Sequence, residues 1–189
     1  RPTDLLDSGR HDPQFYATWR MELKRHGRWS GEMWQRRKDG EEFLCWLQSS
    51  AVLDASGQPV HYVGVLTDIT DQKRAEQELR YLANYDTLTG LPNRALLSER
   101  LSRAIVRARR QQARIAVLFL DLDRFKDIND SLGHAAGDRI LRAAAMRLQE
   151  IVGRDHTVAR LGGDEFTVVL EGIGSPEDAD RMARDLIKA

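Results

Sequence analysis

Two short apolar runs, each broken off by carboxylates, constrain this chain more than any other feature. Residues 115–120 are uninterrupted apolar side chains that end in Asp121 and Asp123. Such a run suits a strand buried on both faces. In open α/β sheets ligands bind beyond the carboxyl ends of strands. A carboxylate there is a candidate ligand for a hard cation such as magnesium, which prefers oxygen donors and keeps substrate phosphates in its shell. Residues 158–161 and 166–170 read as two further strands, with Gly162-Gly163-Asp164-Glu165 as a tight hairpin between them. Glycine tolerates positive φ there and leaves room for a phosphate or a base against the backbone. Asp164 and Glu165 then lie close to Asp121 if the strands are neighbours. Taken alone, a Gly-Gly-Asp turn is usually only a turn, and an Asp-x-Asp only a solvated strand end. Here Lys126, Asn129, His134 and Asp138 crowd the interval between the strands. Core packing does not ask for that density of polar residues, and the pattern describes a site for a nucleoside triphosphate and its metals.

The flanking elements follow from spacing. Ile140, Leu141, Ala144, Ala145, Leu148 and Ile151 recur at helical intervals, which predicts a helix to about Val152 with Asp138 as its N-cap. Ser175-Pro176-Glu177-Asp178 opens another helix, with a capping hydroxyl, a proline in the first turn and acids at the positive end of the dipole. Arg100, Arg103, Arg107, Arg109 and Arg110 fall on a helix as a solvated face.

Three motifs carry a resemblance: Asp86-Thr-Leu-Thr-Gly-Leu-Pro-Asn-Arg94, the stretch from Asp121 to Asp138, and Gly162-Gly163-Asp164-Glu165-Phe166. From about Tyr85 onward the chain resembles the GGDEF family, the bacterial diguanylate cyclases. The resemblance implies that two GTP molecules condense into cyclic di-GMP with release of pyrophosphate, with Mg2+ or Mn2+ as cofactor. It implies metal binding by Asp121, Asp164 and the Leu122 carbonyl. Asp164 is also the proton acceptor or the organiser of the attacking hydroxyl, and Glu165 supports the second metal or the nucleophile. Lys126 offers a charge to the phosphates or the transition state, or is a solvated surface lysine. Asn129 and Asp138 match the pair that reads guanine, whose ring N–H and amino donors suit a carboxylate and an amide. His134 matches a substrate contact, and Gly162 and Gly163 let the base or sugar approach the backbone. Asp123 orients the loop and Arg124 is exposed. The implied fold is α+β, an α/β sandwich that is ferredoxin-like and similar to a polymerase palm, lacking its last strand.

Two departures bear on regulation and extent. An Arg-x-x-Asp product-inhibition motif aligned by its distance from Gly162 falls on Gly153-Arg154-Asp155-His156, so both charged ends are displaced and the feedback site is read as absent. The family's further strand and basic phosphate-binding helix are not in this sequence. It is therefore read as a piece of a longer protein, inactive by itself and with an open apolar edge.

The amino-terminal part predicts a helix over residues 13–26 and strands over 29–36, 43–53 and 60–68, the last two entered through Lys38-Asp39-Gly40 and Ser56-Gly57-Gln58-Pro59. The runs Gly-Arg-Trp-Ser-Gly-Glu32, Arg-Arg-Lys-Asp-Gly-Glu41 and His61-Tyr-Val-Gly-Val-Leu-Thr-Asp-Ile-Thr70 resemble the carboxyl half of a PAS sensor domain. Trp29, Trp34 and Trp46 are read as core or sheet packing, and no haem or flavin contact is supported. Residues 71–84 contain no glycine or proline and read as a connecting helix, similar to the signalling helix of PAS–GGDEF proteins. The organisation is a partial PAS domain over 1–70, a signalling helix over 71–85 and a GGDEF domain over 86–189.

Composition narrows the alternatives. With 29 basic and 29 acidic side chains the net charge is zero, so no electrostatic case for nucleic acid exists. One cysteine excludes an internal disulfide and fits a reducing cytosol. No apolar run has membrane-spanning length. The expected partners are GTP, a second copy of the chain through the signalling helix and GGDEF domain, and an attached effector domain. Two other readings stay open: a degenerate GTP-binding module that controls an attached phosphodiesterase, and a dimerisation or signalling segment.

Overall fold

A computed structural model describes residues 7–188, so the outer bounds of the sequence-based domain assignments, residues 1 and 189, lie outside the described residues. The chain divides into two units, residues 1–78 and 79–189.

In the first unit α1 (Pro13–His26) precedes an antiparallel meander of β1 (Arg28–Arg36), β2 (Glu42–Leu53) and β3 (Pro59–Asp68). The start of α1 is fixed by Asp12, whose carboxylate accepts from the Phe15 N–H at 2.7 Å, with proline at the first turn. Its end is fixed by Gly27 in the left-handed region. Period-two patterning then does its work: Phe43, Cys45 and Leu47 bury one face of β2. With Met33 they form a core closed by Phe15, Tyr16, Trp19 and Trp29. Trp29 is sheet packing, as its sequence context implies, whereas Trp46 is 39% exposed and belongs to no core. Helix α2 (Thr70–Asn84) follows.

In the second unit the elements run α3 (Arg94–Gln111), β4 (Arg114–Leu120), α4 (Phe125–Leu132), α5 (His134–Val152), β5 (Thr157–Gly162), β6 (Glu165–Ile173) and α6 (Pro176–Ile187). The sheet order is β4-β6-β5, all antiparallel. That is the order of the first three strands of a ferredoxin-like unit. Helices cover both faces. Phe166, Val168 and Leu170 point into a core with Leu141, Ala145 and Leu148 of α5 and Leu186 of α6. Val169 and Ala159 point the other way, onto Leu97 of α3.

Two expectations are corrected here. The strand buried on both faces is β6, where residues 166–170 are all buried, and not β4. Among the described residues strand β4 pairs only with β6, and its Phe119 is 76% exposed. The helix expected to be capped by Asp138 begins earlier, with Gly133 at its N-cap and no side-chain cap. Asp138 therefore lies inside α5 and is free for another role. The polar stretch that precedes it also contains a helix, α4, which the density of polar residues conceals.

Candidate active site

The site sits where β4 ends and the β5–β6 hairpin turns. Leu120 pairs with Phe166, and Gly162 pairs with Glu165. This register brings Asp121, one residue past β4, to the turn that carries Asp164. Gly163 has φ 53°, the left-handed value that a two-residue hairpin turn needs and that glycine adopts without a Cβ clash. Asp164 is half-buried, and Glu165 and Asp121 are exposed.

Electrostatics marks the convergence. The Asp164 carboxylate raises the Asp121 pKa above its ordinary value, with small additions from burial and from Glu165. Like charges at one spot disfavour ionisation of each. The folded state therefore carries a repulsion that a cation would relieve. The Leu122 carbonyl accepts from the Phe125 N–H at 3.2 Å and keeps a second lone pair. Among the described residues, no three His, Cys, Asp or Glu side chains converge into a complete metal-binding group. The two facing carboxylates and one carbonyl are an all-oxygen donor set. Such a set fits a hard cation that completes its shell with substrate phosphates.

The remaining sequence-predicted residues lie on the α4–α5 hairpin. Lys126 is exposed in the first turn of α4, and Asn129 is half-buried one turn later. His134 opens α5 and is exposed, and Asp138 is half-buried one turn further on. The helices can approach because Gly137 has no side chain. An added Cβ there would lie 2.0 Å from Asn129 Oδ1 and 3.0 Å from Phe125 Cζ. Gly137 thus holds the Asn129 amide in place, although the sequence marks it only as one of many glycines. In Gly137→Ala, the gain in helix propensity of about 1 kcal/mol is outweighed by overpacking of about 1–3 kcal/mol. Asn129 must swing away. If Asn129 reads guanine, as the family resemblance implies, the expected result in a titration is at least about tenfold weaker binding of guanine nucleotide. Equal affinity for guanine nucleotide before and after the change would contradict this placement.

Arg160 was not expected at the site. Its Nε and Nη2 donate to the Gly163 carbonyl at 3.0 and 2.6 Å. Its Nη1 donates to both Asp86 oxygens at 2.9 and 3.0 Å. Asp86 also accepts from the N–H and hydroxyl of Thr89. Burial opposes ionisation of Asp86, but the bonds from Thr89 and Arg160 outweigh it and hold the carboxyl below the usual carboxylate range. A carboxylate with a lowered folded-state pKa stabilises the fold above its unfolded pKa, and loses that contribution as pH falls through the folded value. The pair is therefore intact at neutral pH. The sequence signals were Asp86 at the head of its motif and an arginine two residues before Gly162.

Residues 83–189 match the family described as diguanylate cyclase, GGDEF domain, and residues 1–71 match a PAS domain. Diguanylate cyclase TpbB of Pseudomonas aeruginosa is 50% identical over 119 residues, 61% of this chain and 27% of that protein. The bifunctional diguanylate cyclase/cyclic di-GMP phosphodiesterase MucR of the same species is 49% identical over 119 residues, 63% of this chain and 17% of MucR. This chain thus spans about a quarter or less of the length of these relatives. The GGDEF domain structure of TpbB superposes with TM-score 0.54 at 52% identity, covering 55% of this chain and 60% of that one. DgcB of Caulobacter crescentus, solved in complex with cyclic di-GMP, superposes with TM-score 0.56 at 26% identity, covering 62% and 61%. Motifs, fold and relatives agree: the chain belongs to the GGDEF family, its GGDEF domain preceded by a PAS domain.

Proposed function

We propose that the protein containing this chain condenses two GTP molecules into cyclic di-GMP with release of pyrophosphate. The observation that carries the reading is the facing of Asp121 and Asp164 at an intact Gly-Gly-Asp-Glu-Phe hairpin, within a chain half identical to a diguanylate cyclase over 119 residues. The 3′-oxygen of one nucleotide bonds to the α-phosphorus of the other. The α–β bridging P–O bond breaks, pyrophosphate leaves, and the hydroxyl proton passes to Asp164 or to water it orders. The same step on the partner nucleotide closes the ring. A bound Mg2+ or Mn2+ supplies charge neutralisation for the phosphates, and Asp121, Asp164 and the Leu122 carbonyl would hold it. Glu165 supports the attacking hydroxyl, and Lys126 places a cation near the phosphates. Asn129 and Asp138 read the guanine edge, His134 contacts the nucleotide, and Gly162 and Gly163 leave space for it. Each site holds one GTP, so the reaction needs two such domains face to face. A homodimer brought together through α2 and the GGDEF domain meets that need.

Purified full-length protein supplied with GTP and Mg2+ is expected to yield cyclic di-GMP and pyrophosphate by chromatography, and chelation of the metal to stop it. Absence of product from folded, GTP-bound, dimeric protein would overturn the reading. Added cyclic di-GMP is expected not to inhibit through Arg154 and Asp155, which follow the Gly153 cap of α5 and do not keep the Arg-x-x-Asp spacing. Inhibition relieved by Arg154→Ala would contradict this.

A further inference from the structure

We propose that Arg160 and Asp86 are positioning residues that lock the signature turn to the carboxyl end of α2. They do not touch the nucleotide. They set the direction in which Asp164 is presented, and this reading deepens the cyclase proposal above.

Each link of the connection is a hydrogen bond. Asn93 N–H donates to the Asn84 carbonyl, the last residue of α2, and the Asn93 side-chain amide donates to Ala83 O at 3.0 Å. The same Asn93 side chain caps α3 through Ala95 N–H and Leu96 N–H. Between Asn84 and Asn93 the chain makes a tight loop. Tyr85 N–H donates to Tyr81 O, Asp86 N–H to Leu91 O and Gly90 N–H to Asp86 O. Pro92 O then receives the Arg160 N–H at 3.0 Å. The loop therefore grips Arg160 by its backbone and, through Asp86, by its side chain. The far side of the guanidinium grips the Gly163 carbonyl twice. That carbonyl belongs to the peptide that joins Gly163 to Asp164, so its direction sets the plane on which the Asp164 Cα hangs.

The chemistry of arginine is specific to this task. A planar guanidinium presents donors on two edges at once. Here one edge serves a carbonyl and the other a carboxylate. A lysine ammonium keeps the charge but cannot span the two. Only 10% of the Arg160 side chain is exposed, so water does not replace a lost partner on equal terms. The β5–β6 ladder fixes the ends of the turn, where Gly162 pairs with Glu165. The turn contains two adjacent glycines, both at positive φ, and no atom lies within 4 Å of where a Cβ would be at either. Among the described residues Arg160 is the side chain that hydrogen-bonds the backbone of the turn. A displacement of the end of α2 moves Asn84, the 86–91 loop and the guanidinium together, and so reaches Asp164 through the end of β5 rather than through the helices that pack on the sheet.

The test uses Arg160→Lys and the near-isosteric Asp86→Asn in the full-length protein. The first readout is amide hydrogen exchange. Residues 161–166 are expected to exchange at least about tenfold faster in both variants, while β4 and α5 keep their protection. Unchanged exchange of the hairpin in Asp86→Asn would overturn the inference. If Arg160→Lys fails to fold, Asp86→Asn alone decides. The second readout is turnover. The turnover number is expected to fall at least about tenfold with the Michaelis constant for GTP within about twofold, the signature of misplaced chemistry with binding retained. An unaltered turnover number in either folded variant would overturn the inference. Exchange decides it even in a protein that makes no product, a result that would count against the cyclase reading alone.

Discussion

Asp164→Ala is expected to lower cyclic di-GMP formation by at least about a thousandfold, because in the proposed reaction it removes both a proton-accepting or hydroxyl-ordering group and half of the facing carboxylate pair. The fold should survive. Asp164 sits in a turn and anchors no core, and it is the main source of the repulsion that raises the Asp121 pKa. A folded state that favours protonated Asp121 is penalised once pH rises above the unfolded pKa. Removing Asp164 removes that penalty at neutral pH, so the melting temperature should hold or rise slightly. Activity and stability thus move independently. Chromatographic assay and a thermal melt on the same preparation check both. Turnover within tenfold of the parent would show that Asp164 is not at the reacting centre. A large drop in melting temperature would show that the turn is structural.

The second large effect lies one step from the first and is of the opposite kind. Phe166→Ala should cost about 3–5 kcal/mol, the usual range for removing a buried phenyl ring. Phe166 is 1% exposed and pairs with Leu120, the last residue before Asp121. Its ring packs in the core with residues of α4, α5 and α6, including Phe125 and Leu186. Phe125 and Leu141, in the same core, lie on the helices that carry Asn129 and Asp138, so relaxation into the space would also disturb those helices. For a unit of this size the loss corresponds to a fall in melting temperature of about 12 °C or more. Equilibrium denaturation of the parent and variant checks it, with an unchanged slope as the sign that the unfolded states match. A loss below about 1 kcal/mol would mean that the core tolerates the gap.

Strand and helix positions in the first unit were legible to within about a residue, because β1 and β2 alternate in burial and the turns before β2 and β3 each have their own glycine, whereas β3 is exposed along its whole length. Phe43, Cys45 and Leu47 need only alternation to be placed. The doubly buried strand was assigned to residues 115–120, although residues 166–170 hold that place. Residues 115–120 are wholly apolar whereas 166–170 include Thr167, so composition favours the wrong run and only the pairing order separates a central strand from an edge. Helix α4 is concealed by the density of its polar residues. The candidate site residues are readable, since carboxylates after a strand and glycines in a turn are visible locally. The residues that position them are not. Arg160 reaches Asp86 across 74 residues of sequence, and Gly137 matters through a clash with Asn129 that no spacing rule encodes.

The strand order has a consequence for how the second unit comes into being. Strands β4 and β5 lie on opposite sides of β6 and do not pair with each other. In a chain emerging from its amino terminus both appear before their common partner. Until residues 165–173 arrive, the apolar run of β4 has no strand to bind and is open to any other edge it meets. The sheet closes by insertion of its middle. The hairpin turn that joins β5 to β6 is then the hinge of that insertion, and the two glycines at the candidate site also let β6 fold back into the gap.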